Sequence, residues 1–177
     1  MADFELAIPT ILNNEGGFVN DPNDKGGFTY RGITRKNFQN WNGWNIIDNI
    51  PDLKNGQIIQ NADLEQLVKA FYKTNFWDKF KGDFIDNQTI AVFTFDWFVN
   101  AGSPAIKHLQ ECAGVNNDGI IGTGSITAIN AADQSELLAK LKQARISFYN
   151  AIVANNPTQE RFLNGWLNRV NSFDDVA

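Results

Sequence analysis

The sequence contains one cysteine, one histidine and one methionine among its 177 residues. Because a single thiol cannot close an intrachain disulfide, Cys112 excludes a disulfide framework and indicates synthesis without oxidative folding. We expect the Cys112 side chain to be a small buried apolar group. His108 has no second histidine and no nearby cysteine beside it, so we expect no zinc hydrolase site. We also expect no other metal site and no cofactor.

Positive charge and long apolar runs are also scarce. The 15 Lys and Arg residues are outnumbered by 20 Asp and Glu residues, and the net charge is -5. A nucleic-acid-binding surface needs clustered basic residues to neutralise phosphates, so we expect no nucleic acid as a partner. No apolar run approaches the about 20 residues of a membrane span, so we expect no membrane insertion. The start of the chain, Met-Ala-Asp-Phe-Glu, lacks a basic segment followed by a long apolar one, so we expect cytoplasmic synthesis without a signal peptide.

The apolar residues that are present predict a mostly helical domain. They make up 43% of the chain, enough for a packed core, and the length fits one domain or one with a small appendage. The spacing of apolar residues predicts helices over 4–14, 62–79, 88–100, 135–154 and 158–171. The segment 88–100 is apolar nearly all round, which is typical of a buried central helix.

Several boundaries of these elements can also be predicted. Asp86 or Asn87 is expected to cap the central helix, Gly102 to end it, and Ser135 to cap the long helix after it. Glycine-rich residues 17–33 predict a small irregular β-hairpin, and Thr34 is a candidate cap for a short helix through Asn40. We interpret 45–61 as a loop. In the last helix, five apolar residues are predicted to face inward: Phe162, Leu163, Trp166, Leu167 and Val170.

The stretch from Glu15 to Thr34 carries most of the chemical information. Glu15 stands at the end of the first predicted helix, and two glycines that can end a helix follow it directly. Asp24 follows nine positions after Glu15, and Thr29 five positions after Asp24. An acid on a rigid helix end that faces an acid and a hydroxyl on a short β lobe suits hydrolysis of a glycosidic bond.

These residues resemble the signature of a known family. Glu-Gly-Gly-Phe at 15–18, the following Asn-Asp-Pro-x-Asp-x-Gly-Gly-x-Thr, and Gly-Ile-Thr at 32–34 are similar to glycoside hydrolase family 108, a family of bacterial and phage N-acetylmuramidases. That family usually has Tyr where this chain has Phe18. The spacing is also similar to phage lysozymes of the Glu-Asp-Thr type, with Thr29 one position earlier. The resemblance implies an α+β, predominantly α-helical, lysozyme-like fold with a small β-hairpin lobe, and a catalytic region over 1–100.

The second part of the chain, 101–177, resembles the peptidoglycan-binding modules that often follow this catalytic region. The similarity rests on Leu109-Gln110, an Asp-Gly turn at 118–119, Gly122 and a short helix. The expected Gly-Pro-x-Thr reads Gly-Thr-Gly-Ser-Ile-Thr over 122–127, so this match is looser. Since no low-complexity linker separates the two parts, we expect them to share one core.

The resemblance implies cleavage of the β-1,4 bond between N-acetylmuramic acid and N-acetylglucosamine. Glu15 would be the general acid, which works at neutral pH when apolar neighbours such as Phe18, Phe28 and Trp97 raise its pKa. Asp24 and Thr29 would orient and activate the attacking water. Structural alternatives stay open: Asp24 fits a turn cap and Thr29 a packing position in the β lobe. Asp21 is a rival for the second carboxylate.

Four further residues are candidates for binding the glycan. The resemblance implies that the amide of Asn100 binds N-acetyl or hydroxymethyl groups, and Trp97 is placed to stack on a sugar face. Phe18 keeps an aromatic face, and Tyr30 is a candidate for lining the cleft. The alternatives are a helix C-cap for Asn100 and core packing for Trp97 and Tyr30.

Other functions remain open at this point. The run from Asp21 to Gly26 partly fits a calcium loop, but Lys25 and Gly32 occupy two of the ligand positions. A lytic transglycosylase would use Glu15 alone, and a non-catalytic wall-binding or secretion-accessory protein would release no sugar. A chitinase-like specificity is a further alternative. We expect a monomer that acts on peptidoglycan strands of the cell wall, released through a holin-type route.

Overall fold

The computed structural model of the protein describes residues 1–20 and 27–173. The α-helices are α1 (Phe4–Leu12), α2 (Gly43–Ile47), α3 (Ala62–Tyr72), α4 (Gln88–Ala101), α5 (Ser103–Cys112), α6 (Thr123–Ala131), α7 (Gln134–Asn155) and α8 (Glu160–Asn171). The strands are β1 (Phe18–Val19), β2 (Thr29–Tyr30) and β3 (Ile33–Thr34). The predicted fold class is confirmed: the chain is α+β, mostly helical and lysozyme-like, with a small β lobe. None of the helices in the described ranges is both long and apolar enough to span a membrane.

The chain divides into two compact units. The small unit is Ile8–Asn75, and the large unit combines Met1–Ala7 with Phe76–Ala177. Residues on both sides of position 100 belong to the large unit. The division into regions 1–100 and 101–177 stays a prediction.

The β lobe belongs to the small unit and is a three-stranded antiparallel sheet in the order β1-β2-β3. Phe18 pairs with Tyr30, and Tyr30 pairs with Ile33, so one face of the sheet is buried. Arg31 and Gly32 connect β2 to β3 with φ angles of 48° and 75°. Two consecutive positive φ angles are typical of the tight turn that matches the twist of a hairpin.

The rest of the small unit is held together by aromatic rings. The rings of Phe38 and Phe71 meet edge to face at 4.6 Å between centroids, and those of Trp41 and Trp44 at 5.1 Å. Helix α3 buries Leu64, Val68, Phe71 and Tyr72 on one face, as its spacing predicts. Its α-helical part ends at Tyr72, earlier than the predicted residue 79, and the chain continues as a π-helical turn over Lys73–Trp77.

Two predictions in the small unit are wrong. No helix follows Thr34, because Thr34 is part of β3 and only one helical turn, closed by Phe38 N donating to Thr34 O, comes after it. Helix α2 (Gly43–Ile47) lies partly where we predicted a loop. Its first residue is a glycine that packs directly on the Trp41 ring, a contact that leaves no room for a side chain.

The large unit is built around α4, and the prediction of a buried central helix is confirmed. Ile90, Phe93 and Phe95 are fully buried. Asn87 caps the helix by accepting a hydrogen bond from Ile90 N, and Gly102 ends it with a φ of 69°. Helices α5 and α7 pack against α4, and α8 packs against α7.

Two predictions in the large unit need correction. Helix α7 is capped by Asp133, whose Oδ1 accepts from Glu136 N, and Ser135 lies inside the first turn. In α8, Val170 is the buried member of the five residues predicted to face inward, while Phe162 is 43% exposed. The buried face of α8 is therefore narrower than the pattern of apolar residues in its sequence suggests.

A buried ion-pair cluster joins three helices of the large unit. Asp96 of α4 is fully buried and receives Arg145 Nη2 of α7 at 2.7 Å and Arg169 Nη2 of α8 at 2.6 Å. Arg145 is also fully buried, and its guanidinium lies over the rings of Phe93, Trp97 and Tyr149 at 5.3–5.8 Å. The cluster ties α4 to the two helices that come last in the chain.

Candidate active site

Glu15 lies in the small unit, just beyond the end of α1. Its backbone N donates to Ile11 O at 3.1 Å, which closes the last turn of the helix. The side chain is half-buried. A Cβ placed on Gly32 would lie 2.5 Å from Glu15 Oε2, so the carboxyl group rests directly on the backbone of the β2–β3 turn. Gly32 is therefore required twice, for its φ of 75° and for this close approach.

Arg31 fixes the backbone that carries Glu15. Its Nη1 donates to Leu12 O at 3.0 Å and to Glu15 O at 3.2 Å. Carbonyl groups at the end of a helix lack partners within the helix, and a cation there also complements the helix dipole. The β lobe thus holds the end of α1 through one guanidinium.

Tyr72 of α3 completes this arrangement. Its hydroxyl donates to Arg31 O at 2.7 Å, and it lies 2.7 Å from the position that a Cβ on Gly32 would take. Burial raises the pKa of Tyr72, and the negative charge of Glu15 raises it further, while Arg31 acts in the opposite direction. The phenol therefore stays neutral beside the Glu15 carboxyl group at physiological pH.

The predicted partners of Glu15 are placed only in part. Thr29 is half-buried on β2, where it pairs with Val19 and Thr34. Asp24 and its rival Asp21 lie outside the described residues. The roles of Thr29 and Asp24 in activating water stay predictions.

Two of the predicted glycan-binding residues belong to the small unit. Phe18 is 6% exposed, packs against Phe28 at 5.6 Å between ring centroids, and lines a cavity of about 360 Å³. Tyr30 is 3% exposed, and its hydroxyl accepts a hydrogen bond from Ile59 N at 3.2 Å. Its ring lines a second cavity of about 440 Å³ together with Arg31 and Glu65. Both aromatic residues are mainly buried, and each contributes one edge to a cavity wall.

The other two belong to the large unit. Trp97 is 1% exposed and stacks on the His108 ring at 5.3 Å, so the prediction that it stacks on a sugar is wrong: its faces are covered by the core. Asn100 is exposed at the end of α4, and its Nδ2 donates to Asp96 O at 2.6 Å. Its glycan-binding role stays a prediction.

Sequence reasoning missed two residues of the site, Arg31 and Tyr72. Arg31 stands inside the recognised motif, but nothing in its spacing indicates that it reaches back to α1. Tyr72 follows Arg31 by 41 positions, and its apolar spacing on α3 suggests core packing alone. The described residues include no group of three or more His, Cys, Asp or Glu side chains placed to hold a metal ion.

Comparisons with known proteins show which families the chain resembles. The model of the Glycosyl hydrolase 108 family matches residues 8–102, and a model described as Predicted Peptidoglycan domain matches residues 104–171. Among solved structures, the chain is similar to one titled "Structure of Brucella abortus SagA", with 26% identity and a TM-score of 0.66, covering 95% of this chain and 89% of that chain. The search of curated proteins found no match. Since the first model spans more than half of the chain and includes Glu15, Arg31 and Gly32, the resemblance found in the sequence is confirmed, and the protein belongs to the Glycosyl hydrolase 108 family.

Proposed function

We propose that this protein is a lysozyme-type N-acetylmuramidase in which Glu15 is the general acid. The two family matches support a glycoside hydrolase that acts on peptidoglycan. The proposal for Glu15 rests on one observation: its carboxyl group is half-buried against Gly32, beside a phenol that stays neutral.

This arrangement suits proton delivery to a glycosidic oxygen. Arg31 holds the Glu15 backbone, and the tight contact with Gly32 limits where the carboxyl group can lie. A catalytic acid held in one position avoids much of the entropic cost of bringing the reacting groups together. As the leaving oxygen accepts the proton, positive charge develops at the anomeric carbon, and a water attacks that carbon.

Asp24 and Thr29 are our candidates for orienting that water. The Glu-Asp-Thr spacing favours an inverting reaction, in which the two carboxyl groups lie about 6.5–9.5 Å apart with the water between the sugar and the base. Exchanging Asp24 for Asn tests this role, because a lytic transglycosylase needs no base for water and would keep its rate.

The experiment that tests the proposal is mass spectrometry of purified peptidoglycan digested by the protein, with the Glu15→Gln variant as control. A muramidase releases fragments that end in reducing N-acetylmuramic acid. A lytic transglycosylase releases anhydro fragments, which are lighter by one water, and a glucosaminidase leaves reducing N-acetylglucosamine. Either of these products, or the absence of any product, would contradict the proposal. Release of chitin oligomers at a comparable rate would reveal a broader specificity.

A further inference from the structure

A cavity of about 610 Å³ lies in the large unit and shares no lining residue with the two cavities of the small unit. Its walls include Lys79 and Lys81 from the segment before α4, Phe98 of α4, Ser103 at the start of α5, and Ile120 and Gly122 from the loop before α6. We call it the lysine pocket. It joins residues from the region that matches the glycosyl hydrolase family with residues from the region that matches the peptidoglycan domain.

Two positive charges converge on this pocket without a partner in the described part of the chain. Neither Lys79 nor Lys81 forms an ion pair with any of the described residues. By contrast, Lys140 of α7 pairs with Glu136 one helical turn away. In a chain with a net charge of -5, two such lysines at one cavity favour an anionic ligand.

The acidic residue nearest in sequence to Ile120 is Asp118, which is hydrogen-bonded within its own loop. The carboxylate of Asp118 accepts hydrogen bonds from Gln110 Nε2 at 2.9 Å and from Ile120 N at 2.8 Å. These bonds lower the pKa of Asp118, so its carboxylate stays ionised, and they hold Oδ1 within the loop. Asp118 is therefore part of the hydrogen-bond network within the loop before α6.

Two helix starts contribute to the same wall. Ser103 is the first residue of α5, and Gly122 is the N-cap of α6; neither helix has a side-chain cap. The starts of α3, α4 and α7 are each capped by an Asn or Asp side chain. The positive ends of the two helix dipoles add to the attraction of the lysines for an anion.

The pocket also offers apolar surface. Ile120 is 73% exposed, and Phe98 is half-buried. A ligand that fits must combine carboxylates with small apolar groups. The peptide stem of peptidoglycan has this chemistry, since it carries free carboxylates next to alanine methyl groups. The glycan without its stem carries hydroxyl and acetamido groups and a single lactyl carboxylate on each muramic acid.

We propose that the lysine pocket binds the peptide stem of peptidoglycan, with stem carboxylates at Lys79 and Lys81 and stem methyl groups on Phe98 and Ile120. The inference rests on peptidoglycan as the substrate in the proposed function. It adds a second recognition element, so that the protein distinguishes peptide-bearing strands from bare glycan.

The test measures binding in the Glu15→Gln background, so that no ligand is consumed. Isothermal titration compares a soluble muropeptide that carries its stem with the same glycan after an amidase has removed the stem. We expect Lys79→Ala/Lys81→Ala to weaken binding of the peptide-bearing ligand about tenfold or more, and binding of the bare glycan to stay the same. Lys79→Arg/Lys81→Arg should restore most of the affinity. The control, Lys36→Ala/Lys54→Ala, removes two exposed lysines of the small unit and should have no effect.

Three outcomes would overturn the proposal: unchanged affinity in the double variant, equal loss for both ligands, or no binding of the peptide-bearing ligand by the starting protein. Lys79→Glu, an exposed single change, serves as a second variant if the double variant does not fold. These measurements need no turnover. If the titration shows no stem-dependent binding but the digest contains reducing muramic ends, the proposal for the lysine pocket fails and the muramidase proposal stands. If binding depends on the stem but the digest contains other products, only the muramidase proposal fails.

Discussion

At the scale of single residues, the site depends on how closely Gly32 approaches the Glu15 carboxyl group. The chain provides a matched comparison, because Gly27 has nearly the same φ, 71° against 75°, but no heavy atom of the described residues lies within 4 Å of its added Cβ. Comparing an Ala substitution at Gly27 with one at Gly32 therefore separates the free-energy cost of the backbone conformation from the effect of displacing the Glu15 carboxyl group.

We predict that Gly27→Ala destabilises the protein by about 1 kcal/mol, because a side chain is strained at positive φ, and that Gly32→Ala destabilises it more, because its methyl group must also displace Glu15 Oε2 and the Tyr72 hydroxyl. Only Gly32→Ala should reduce the rate of peptidoglycan cleavage strongly, about tenfold or more, because its methyl group would occupy the space of Glu15 Oε2 and the Tyr72 hydroxyl. Urea unfolding gives the stability, and clearing of a cell-wall suspension gives the activity. Equal activity in the two variants would contradict the assigned position of the acid.

A second prediction concerns Cys112, which is half-buried and not fully buried as the sequence suggested. Burial raises its pKa to about 11, Glu111 adds to the shift, and Lys140 acts against it. Only the thiolate reacts, so alkylation by iodoacetamide at pH 8 should be about 10–100-fold slower in the native protein than in urea. Mass spectrometry of timed samples measures both rates. Equal rates would show that the thiol is not shielded.

At the scale of elements, the loop between α5 and α6 is organised by Gln110. This side chain is 1% exposed; its Nε2 donates to Asp118 Oδ1 and Ile120 O, and its Oε1 accepts from Gly119 N at 2.8 Å. The Leu-Gln and Asp-Gly features of the sequence thus belong to one hydrogen-bonded loop. This explains physically why these residue types occur together at this spacing.

Exchanging Gln110 for Ala should cost about 1–3 kcal/mol of unfolding free energy, because partly buried loop groups such as Gly119 N lose their partner. Gln143→Ala on α7 is the control, since Gln143 is exposed. Urea titration followed by circular dichroism measures both. If the two substitutions had the same effect, Gln110 would not organise the loop.

The element boundaries show where sequence reasoning succeeds. The end of α4 at Gly102 and the small β lobe follow from local signals that predict them, and the cap at Asn87 is one of the two predicted candidates, Asp86 and Asn87. The start of α7 was also readable, since Asp133 and Glu136 form an Asp-x-x-Glu pattern of the capping-box type, but Ser135 was preferred. The helix expected after Thr34 fails for another reason: pairing of β3 with β2 is a tertiary interaction that no local propensity contains.

At the scale of the whole molecule, Asp96 is the residue that sequence reasoning understood least. It stands in an apolar helix, and its partner Arg169 is 73 positions away. Periodicity identifies α4 as buried but says nothing about which charges enter the core with it. The same limit applies to the site. The motif predicts Glu15, but it does not predict the hydrogen bond between Tyr72 and Arg31, which are 41 positions apart in the chain.

We predict that Asp96→Asn lowers the unfolding free energy by about 3–5 kcal/mol, because it leaves the buried Arg145 without its carboxylate. Asp63→Asn, an exposed change in the first turn of α3, should have a far smaller effect. Denaturant midpoints of the two variants give the comparison. A stability of Asp96→Asn close to that of the starting protein would mean that the cluster does not hold α4 to α7 and α8.

The central claim of the account is that the Glu15 carboxyl group donates the proton. The most direct measurement is the rate at which reducing ends are released from purified peptidoglycan by Glu15→Gln, compared with Glu5→Gln, which removes an exposed carboxylate from α1. The account predicts a loss of roughly 10²–10⁴-fold for Glu15→Gln, with unchanged circular dichroism, and a normal rate for Glu5→Gln. A near-normal rate in folded Glu15→Gln would contradict it.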